Sequence, residues 1–105
     1  MEVNNKVVII TGSGSGIGKA AALHFAKYGA KVVVSDINLE SAKNVSDEII
    51  KNGGEAVPIK TDVTKFDEVE NLIQQTVDTY KQLDVIVNNA GIGPNLLRIH
   101  QSKLK

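Results

Sequence analysis

Cysteine is absent from the 105 residues, which excludes a disulfide framework, a thiol nucleophile and a thiolate metal site. A surplus of either charge is also absent, because twelve basic residues balance twelve acidic ones. No basic field therefore exists to attract nucleic acid or an anionic membrane. The N-terminus lacks the basic and apolar segments of a secretory signal, and apolar runs such as residues 7–10 are too short to span a bilayer. We expect a cytoplasmic protein without nucleic-acid or membrane partners.

Four short apolar runs recur along the chain, at residues 6–11, 31–35, 56–60 and 84–88. Runs of this length that are apolar on both faces are typical of strands covered above and below, as in a parallel sheet. Pro58 lies within the third run and cannot donate a ladder hydrogen bond. We therefore expect the third strand at an edge of the sheet.

The segments between these runs carry apolar residues at three- and four-residue spacing, which predicts helices. The first stripe consists of Ile17, Ala20, Ala21, Phe25 and Tyr28, and it ends before Gly29. The second stripe follows a capping Asn38, consists of Ala42, Val45 and Ile49, and ends at residues 52–54. The third stripe follows Thr64, the predicted cap, and consists of Val69, Leu72, Ile73, Val77 and Tyr80.

Strands that alternate with helices through short connections specify a parallel sheet with helices on both faces. The predicted fold is α/β, a Rossmann-type doubly wound parallel sheet of order 3-2-1-4, truncated after the fourth strand. In that order the third strand is an edge, as Pro58 requires. We interpret residues 1–105 as one domain in which 92–105 form a loop or tail. The outer edge of the fourth strand is expected to be open and apolar.

A glycine cluster, residues 11–18 (TGSGSGIG), joins the first strand to the first helix. Helix N-termini carry unpaired N–H groups and the positive end of the dipole, which suits a pyrophosphate. Glycines let the backbone turn tightly and approach the phosphates. The spacing is Gly12-x-x-x-Gly16-x-Gly18, and a loop of the nucleotide-hydrolase type is excluded because alanine follows Lys19. The strand–loop–helix setting favours a phosphate site over the alternative, a merely flexible loop.

Asp36 ends the second strand. A carboxylate at this position can accept hydrogen bonds from both hydroxyls of an adenosine ribose, and it repels a 2′-phosphate. We therefore predict NAD as the cofactor, in preference to NADP. The alternative role of Asp36 is that of a turn residue leading into the next helix.

Four segments in this order resemble the short-chain dehydrogenase/reductase family: residues 11–18, Asp36, residues 62–63 (DV) and residues 88–91 (NNAG). The resemblance covers nearly all of residues 6–91. It implies an NAD(P)-dependent oxidoreductase that transfers hydride between nicotinamide and an alcohol or carbonyl substrate. The present residues would form its cofactor-binding portion.

The resemblance also implies a role for each matching residue. It implies a pyrophosphate site lined by Gly12, Ser15, Gly16 and Ile17, next to Gly18. It implies that Asp36 holds the adenosine ribose and that Asp62 and Val63 lie beside the adenine. It implies that Asn89, Ala90 and Gly91 pass under the ribose and the approach to nicotinamide, while Asn88 ties the central strands together.

The serine of the family, and its tyrosine with a lysine four residues later, have no counterpart in this sequence. Tyr28 and Tyr80 lack a lysine at that distance, and both fall on apolar helix stripes, where core packing is the better interpretation. His24 and His100 show no metal-ligand spacing. We assign no catalytic residue and no metal ligand, and we expect the 105 residues alone to be inactive.

The leading hypothesis is the cofactor half of an oxidoreductase whose full-length form acts on an alcohol or ketone and can form a homo-oligomer. A non-catalytic NAD-binding or regulatory module and an inactive gene fragment remain alternatives. The folding and NAD response of the purified chain would separate them. A flavodoxin-like domain shares the alternation but requires neither Asp36 nor residues 88–91, so it is disfavoured.

Overall fold

The computed structural model describes residues 2–90, in which strands and helices alternate without exception. The described residues do not include Gly91 or the predicted tail at 92–105, which contains His100. In chain order the elements are β1 (Val7–Thr11), α1 (Gly16–Lys27), β2 (Lys31–Asp36), α2 (Leu39–Lys51), β3 (Glu55–Lys60), α3 (Phe66–Tyr80) and β4 (Val85–Val87). The four predicted strands and three predicted helices are confirmed, with bounds that differ by one or two residues.

The four strands form one parallel sheet in the order β3-β2-β1-β4, which confirms the predicted topology. Ile9 at the centre is paired with Val33 on one side and Ile86 on the other. Pro58 is paired with Val34 and lies on β3, the edge strand of the sheet that residues 2–90 form, as predicted. Within the described residues β4 has a neighbour on one side alone, so its outer edge is open as predicted.

The two central strands are buried on both faces, which explains their near-continuous β-branched sequences. One face, which includes Val8, Ile10 and Val34, packs with the buried side chains of α1 and α2. The other face, which includes Ile9 and Val33, packs with the buried side chains of α3. The sheet therefore has a separate apolar core on each side, and its strand ends are left to carry polar groups.

Helix boundaries follow the expected caps at α2 and at the end of α1, where Gly29 has a φ of 92° directly after the cap residue, and they depart from the prediction at the start of α3. Asn38 caps α2 by accepting a hydrogen bond from Ser41 N at 3.1 Å. The predicted place of Tyr28 in the core is wrong: it follows the last residue of α1 and is 55% exposed. The predicted Thr64 cap is also wrong, because the cap position of α3 is Lys65 and no side chain caps that helix.

Asp84 joins the amino ends of β1 and β4. Its Oδ2 accepts hydrogen bonds from Val7 N at 2.8 Å and from Gln82 Nε2 at 2.8 Å, while its own N–H donates to the Val7 carbonyl. The bond from Val7 N lowers the pKa of Asp84, although partial burial opposes this effect. Asp84 therefore fastens the start of the short strand β4 to the fully buried β1.

Asp84→Ala is expected to lower the free energy of unfolding by about 1 kcal/mol at neutral pH, because Val7 N loses its acceptor. A carboxyl with a lowered pKa stabilises fully above its ordinary value of 3.8, and this contribution is lost as the pH falls through the folded-state pKa. The difference from wild type should therefore shrink below pH 3.8 in urea denaturation. Asp47→Ala, on an exposed position of α2, is the control. An equal deficit at both pH values would contradict this role.

Candidate functional site

The loops that carry the predicted site residues all leave the sheet at the carboxyl ends of its strands. The loop after β1 holds residues 12–15, and the turn after β3 holds residues 61–65. Residues 88–90 follow β4. The winding direction of the sheet reverses between β1 and β4, and parallel sheets bind their ligands at such a point.

The glycine loop has the backbone conformation that its sequence predicts. Gly12 and Gly16 have φ values of 64° and 58°, a region that favours glycine. The cap residue of α1, Ser15, makes no side-chain cap hydrogen bond, so no hydroxyl occupies the first-turn amides. Ser15, Gly16 and Ile17 are all exposed. The helix start is thus open to an anion, with its dipole favouring one.

Gly18 allows the closest approach in the loop. A Cβ atom added to it would overlap the carbonyl oxygen of Gly12 and lie 2.7 Å from Asn89 Nδ2. Asn89 Nδ2 donates to that same Gly12 carbonyl at 3.2 Å. The third glycine of the spacing is therefore required by packing between backbone segments, and Asn89 ties the loop after β4 to the glycine loop.

Thr11 makes a second link between the ends of β1 and β4. Its Oγ1 donates to Asn88 Oδ1 at 3.3 Å and accepts a hydrogen bond from Ala90 N at 3.1 Å. The Asn88 contact agrees with the expectation that this side chain ties the central strands together. The parts played by Thr11 and the side chain of Asn89 were not predicted, because both depend on contacts between residues far apart in the chain.

Asp36 is bonded to two neighbouring segments. Its Oδ2 accepts from Gly14 N at 2.9 Å, and its Oδ1 accepts from Asn38 N at 3.0 Å. A carboxylate offers about four acceptor positions, so acceptor capacity remains on both oxygens. Gly14, which the sequence pattern did not single out, has no space for a side chain, because a Cβ there would lie 2.8 Å from Ser41 Cβ. The glycine therefore allows Asp36 to reach the loop.

Asp62 lies in the turn after β3, and this turn is bonded to the end of β2 at Asp36. Thr61 N donates to the Asp36 carbonyl at 2.9 Å, which joins the turn to the end of β2. Asp62 Oδ1 accepts from Thr64 Oγ1 at 2.6 Å and from Thr64 N at 3.0 Å. These bonds lower the pKa of Asp62, with the hydroxyl bond having the larger effect. Asp62 is consequently an ionised hydrogen-bond acceptor at neutral pH, next to the half-buried Val63.

Two large apolar side chains are exposed, one after the glycine loop in the chain and one directly after Asp36. Ile17, which the sequence analysis placed on the apolar stripe of α1 and in the pyrophosphate site, lies in the first turn of α1 and is 81% exposed. Ile37, directly after Asp36, is 61% exposed and was not predicted as a site residue. An apolar residue in an otherwise polar turn is the sequence signal that could have found it. Exposed apolar side chains beside polar acceptors suit the flat faces of a nucleotide.

The described chain also contains a groove away from the predicted cofactor residues. This groove, of about 680 Å³, lies where α1 and α2 end, near the amino ends of β2 and β3. None of the predicted cofactor residues lines it. Burial raises the pKa of Tyr80, and the nearby Glu55 adds to this effect. Tyr80 packs against the core beside α3, as predicted.

Between residues 2 and 90 no cluster of His, Cys, Asp or Glu could hold a metal ion. In the same span no helix is long and apolar enough to cross a membrane.

The fold is an α/β fold of the doubly wound class, with the loops described above at the carboxyl ends of its strands. Residues 6–104 match the short chain dehydrogenase family, and the chain belongs to it. An uncharacterized oxidoreductase of Thermotoga maritima is 50% identical over 94 residues, which are 90% of this chain and 37% of that protein. The cyclohexanol dehydrogenase of Acinetobacter sp. (strain SE19) is 48% identical over 89 residues, or 85% of this chain and 36% of that protein.

Solved structures agree with these relatives. A 7α-hydroxysteroid dehydrogenase complexed with NADH and 7-oxo glycochenodeoxycholic acid superposes with a TM-score of 0.81 at 42% identity. The match covers 83% of this chain and 34% of the other. The present chain thus spans little more than a third of the length of these proteins.

Proposed function

We propose that this chain binds NAD(H) across the carboxyl ends of its strands, as the cofactor-binding part of a dehydrogenase that acts on alcohols or ketones. One observation carries the proposal: Asp36 accepts a hydrogen bond from Gly14 N at 2.9 Å. The carboxylate suited to a ribose and the loop suited to a diphosphate are therefore held as one unit. Their spacing is fixed before any ligand binds, which lowers the cost of ordering the site.

The proposed cofactor contacts are the residues that match the family pattern. They are Gly12, Ser15, Gly16, Ile17, Gly18, Asp36, Asp62, Val63, Asn89, Ala90 and Gly91, the last of which lies outside the described residues. In this arrangement the first-turn amides of α1 bind the diphosphate, and Asp36 accepts hydrogen bonds from the ribose hydroxyls. Asn89 holds the loop after β4 against the glycine loop through its hydrogen bond to the Gly12 carbonyl.

We further propose that NAD is preferred over NADP. The negative charge of Asp36 repels a 2′-phosphate on the ribose that it binds. Neither Ser13 nor Ser15 supplies a compensating positive charge. Lys19, in the first turn of α1, lies 3.8 Å from a carboxylate oxygen of Glu48 and is therefore directed toward α2.

The proposed reaction is hydride transfer at a C–OH or C=O carbon. When bound, the nicotinamide supplies or accepts the hydride, and the residues described here bind and orient it. Two of the similar proteins are named as dehydrogenases of cyclohexanol and of a hydroxysteroid, which are both secondary alcohols. Because residues 1–105 contain no tyrosine followed four residues later by lysine, we propose that they bind the cofactor without turning over substrate.

Titration of the purified chain with NADH tests the proposal. We expect saturable binding in calorimetry and a change in NADH fluorescence. At a ligand concentration a hundredfold above Kd, the melting midpoint should rise by about 10 °C. Reduced nicotinamide mononucleotide, which lacks the adenosine half, is the matched control and should stabilise far less. A folded sample that does not respond to saturating NADH would contradict the proposed function.

A further inference from the structure

We infer that Glu68 is a positioning residue for adenine recognition: it holds the turn after β3 so that Asp62 can accept a hydrogen bond from the 6-amino group. The inference rests on the proposed function, because it concerns the adenine end of the same cofactor. Glu68 does not match any motif that marks the site in the sequence.

The carboxylate of Asp62 has one oxygen engaged and one available. Both hydrogen bonds from Thr64 go to Oδ1. Among the contacts of residues 2–90, Oδ2 accepts no hydrogen bond. An ionised carboxylate is an acceptor alone, so it matches a donor group on a ligand and opposes a second acceptor. The 6-amino group of adenine is such a donor, while the 6-carbonyl of hypoxanthine is an acceptor.

Glu68 fixes the backbone from which Asp62 projects. Its Oε1 accepts a hydrogen bond from Asp62 N at 2.9 Å, across six residues of chain. Its Oε2 lies 3.9 Å from Lys65 Nζ, and Lys65 N donates to the Asp62 carbonyl at 3.0 Å. These contacts hold residues 62–65 against the start of α3.

The geometry at the start of α3 explains why Glu68 is the residue that bonds to Asp62 N. In a capping box, the glutamate at the third helical position bonds back to the N–H of the cap residue. Here Glu68 is that third residue, yet it reaches past the cap at Lys65 to Asp62 N. Since no side chain caps α3 from Lys65, Glu68 is the side chain that joins the helix start to the strand exit.

A purely structural role for Glu68 predicts a different result from a positioning role. If the side chain stabilises only the helix start, its loss lowers the melting midpoint and leaves the choice between bases unchanged. If it positions Asp62, its loss also reduces the preference for adenine over hypoxanthine. The ratio of the two dissociation constants separates these cases, because a general loss of affinity cancels in it.

The experiment compares NADH with reduced nicotinamide hypoxanthine dinucleotide by calorimetry on the full chain. We expect wild type to bind NADH about tenfold more tightly, from one hydrogen bond to a charged group. Glu68→Ala should reduce the ratio to about twofold by releasing Asp62. Glu68→Gln keeps an acceptor at the same reach and should retain most of the preference. Glu70→Ala removes an exposed carboxylate from the same helix and should leave the ratio unchanged.

Glu68→Asp provides the same test if the alanine variant does not fold. Aspartate keeps a negative charge in the first turn of α3, which stabilises the helix, but it is too short to reach Asp62 N. The preference for NADH should fall in this variant too. An unchanged ratio in a folded variant that lacks the bond, or no preference in wild type, overturns the inference. Absence of NADH binding by wild type instead overturns the proposed function, so the two failures are distinguishable.

Discussion

Gly18→Ala is expected to destabilise the fold by about 3 kcal/mol or more, the upper range for an added carbon in a closed space. The new Cβ would overlap the carbonyl oxygen of Gly12 and crowd Asn89 Nδ2. A backbone oxygen cannot move aside as a flexible side chain can, so the glycine loop or α1 must shift. Urea denaturation followed by circular dichroism measures the loss.

Gly16→Ala is the matched control in the same loop. Gly16 has a φ of 58°, and a Cβ added there would meet nothing within 4 Å. Its cost therefore comes from backbone conformation alone, about 1–2 kcal/mol. NADH affinity should fall in both variants, since both disturb the proposed diphosphate site. If Gly18→Ala were as stable as Gly16→Ala, the close approach of Gly18 to Gly12 would not exist in solution.

The sheet could be predicted from the sequence because its signals are local and mutually consistent. The runs that include Ile9 and Val33 have the composition of strands buried on both faces, and they are buried in this way. Pro58 placed β3 at an edge, since proline cannot donate to a central ladder. Strands linked by helices then leave the order 3-2-1-4 as the natural topology.

Helical periodicity located α1 correctly but did not tell which of its apolar side chains are buried. Ile17 belongs to the first turn of α1, directly after the glycine loop, and it is exposed. Tyr28 continues the spacing past the last helical residue, where the backbone leaves the core. Periodicity reports which side chains share a face, and it does not report whether another element covers that face.

The cap of α3 was mispredicted for a related reason. Thr64 has the right chemistry for a cap, but its hydroxyl donates to the Asp62 carboxylate. The hydroxyl can bond either to the Asp62 carboxylate or to the backbone amides of the helix, and local propensity cannot rank these two contacts. Similarly, the bond from Gly14 to Asp36 joins residues that are distant in the chain. That the predicted site residues lie at strand ends followed from topology, whereas the bonds that orient them needed coordinates.

The largest expected change in ligand specificity follows from replacing Asp36. Asp36→Ala should weaken NADH binding by at least about tenfold, because hydrogen bonds to a charged acceptor are lost. NADPH should gain relative to NADH, because the charge that repels the 2′-phosphate is removed. Calorimetric titration with both nucleotides measures the ratio of their affinities.

Asp36→Asn separates the charge of this side chain from its hydrogen bonds. Asparagine has similar shape and can still accept from Gly14 N or Asn38 N, so it should preserve more of the fold than alanine does. It lacks the negative charge, and the relative gain of NADPH should therefore persist. Asp47→Asn makes the same charge change at an exposed position of α2 and should leave the NADH-to-NADPH ratio at the wild-type value. If the Asp36 variants kept the wild-type ratio while remaining folded, the carboxylate would serve only to hold Gly14 and Asn38, and cofactor preference would have to arise elsewhere in the site.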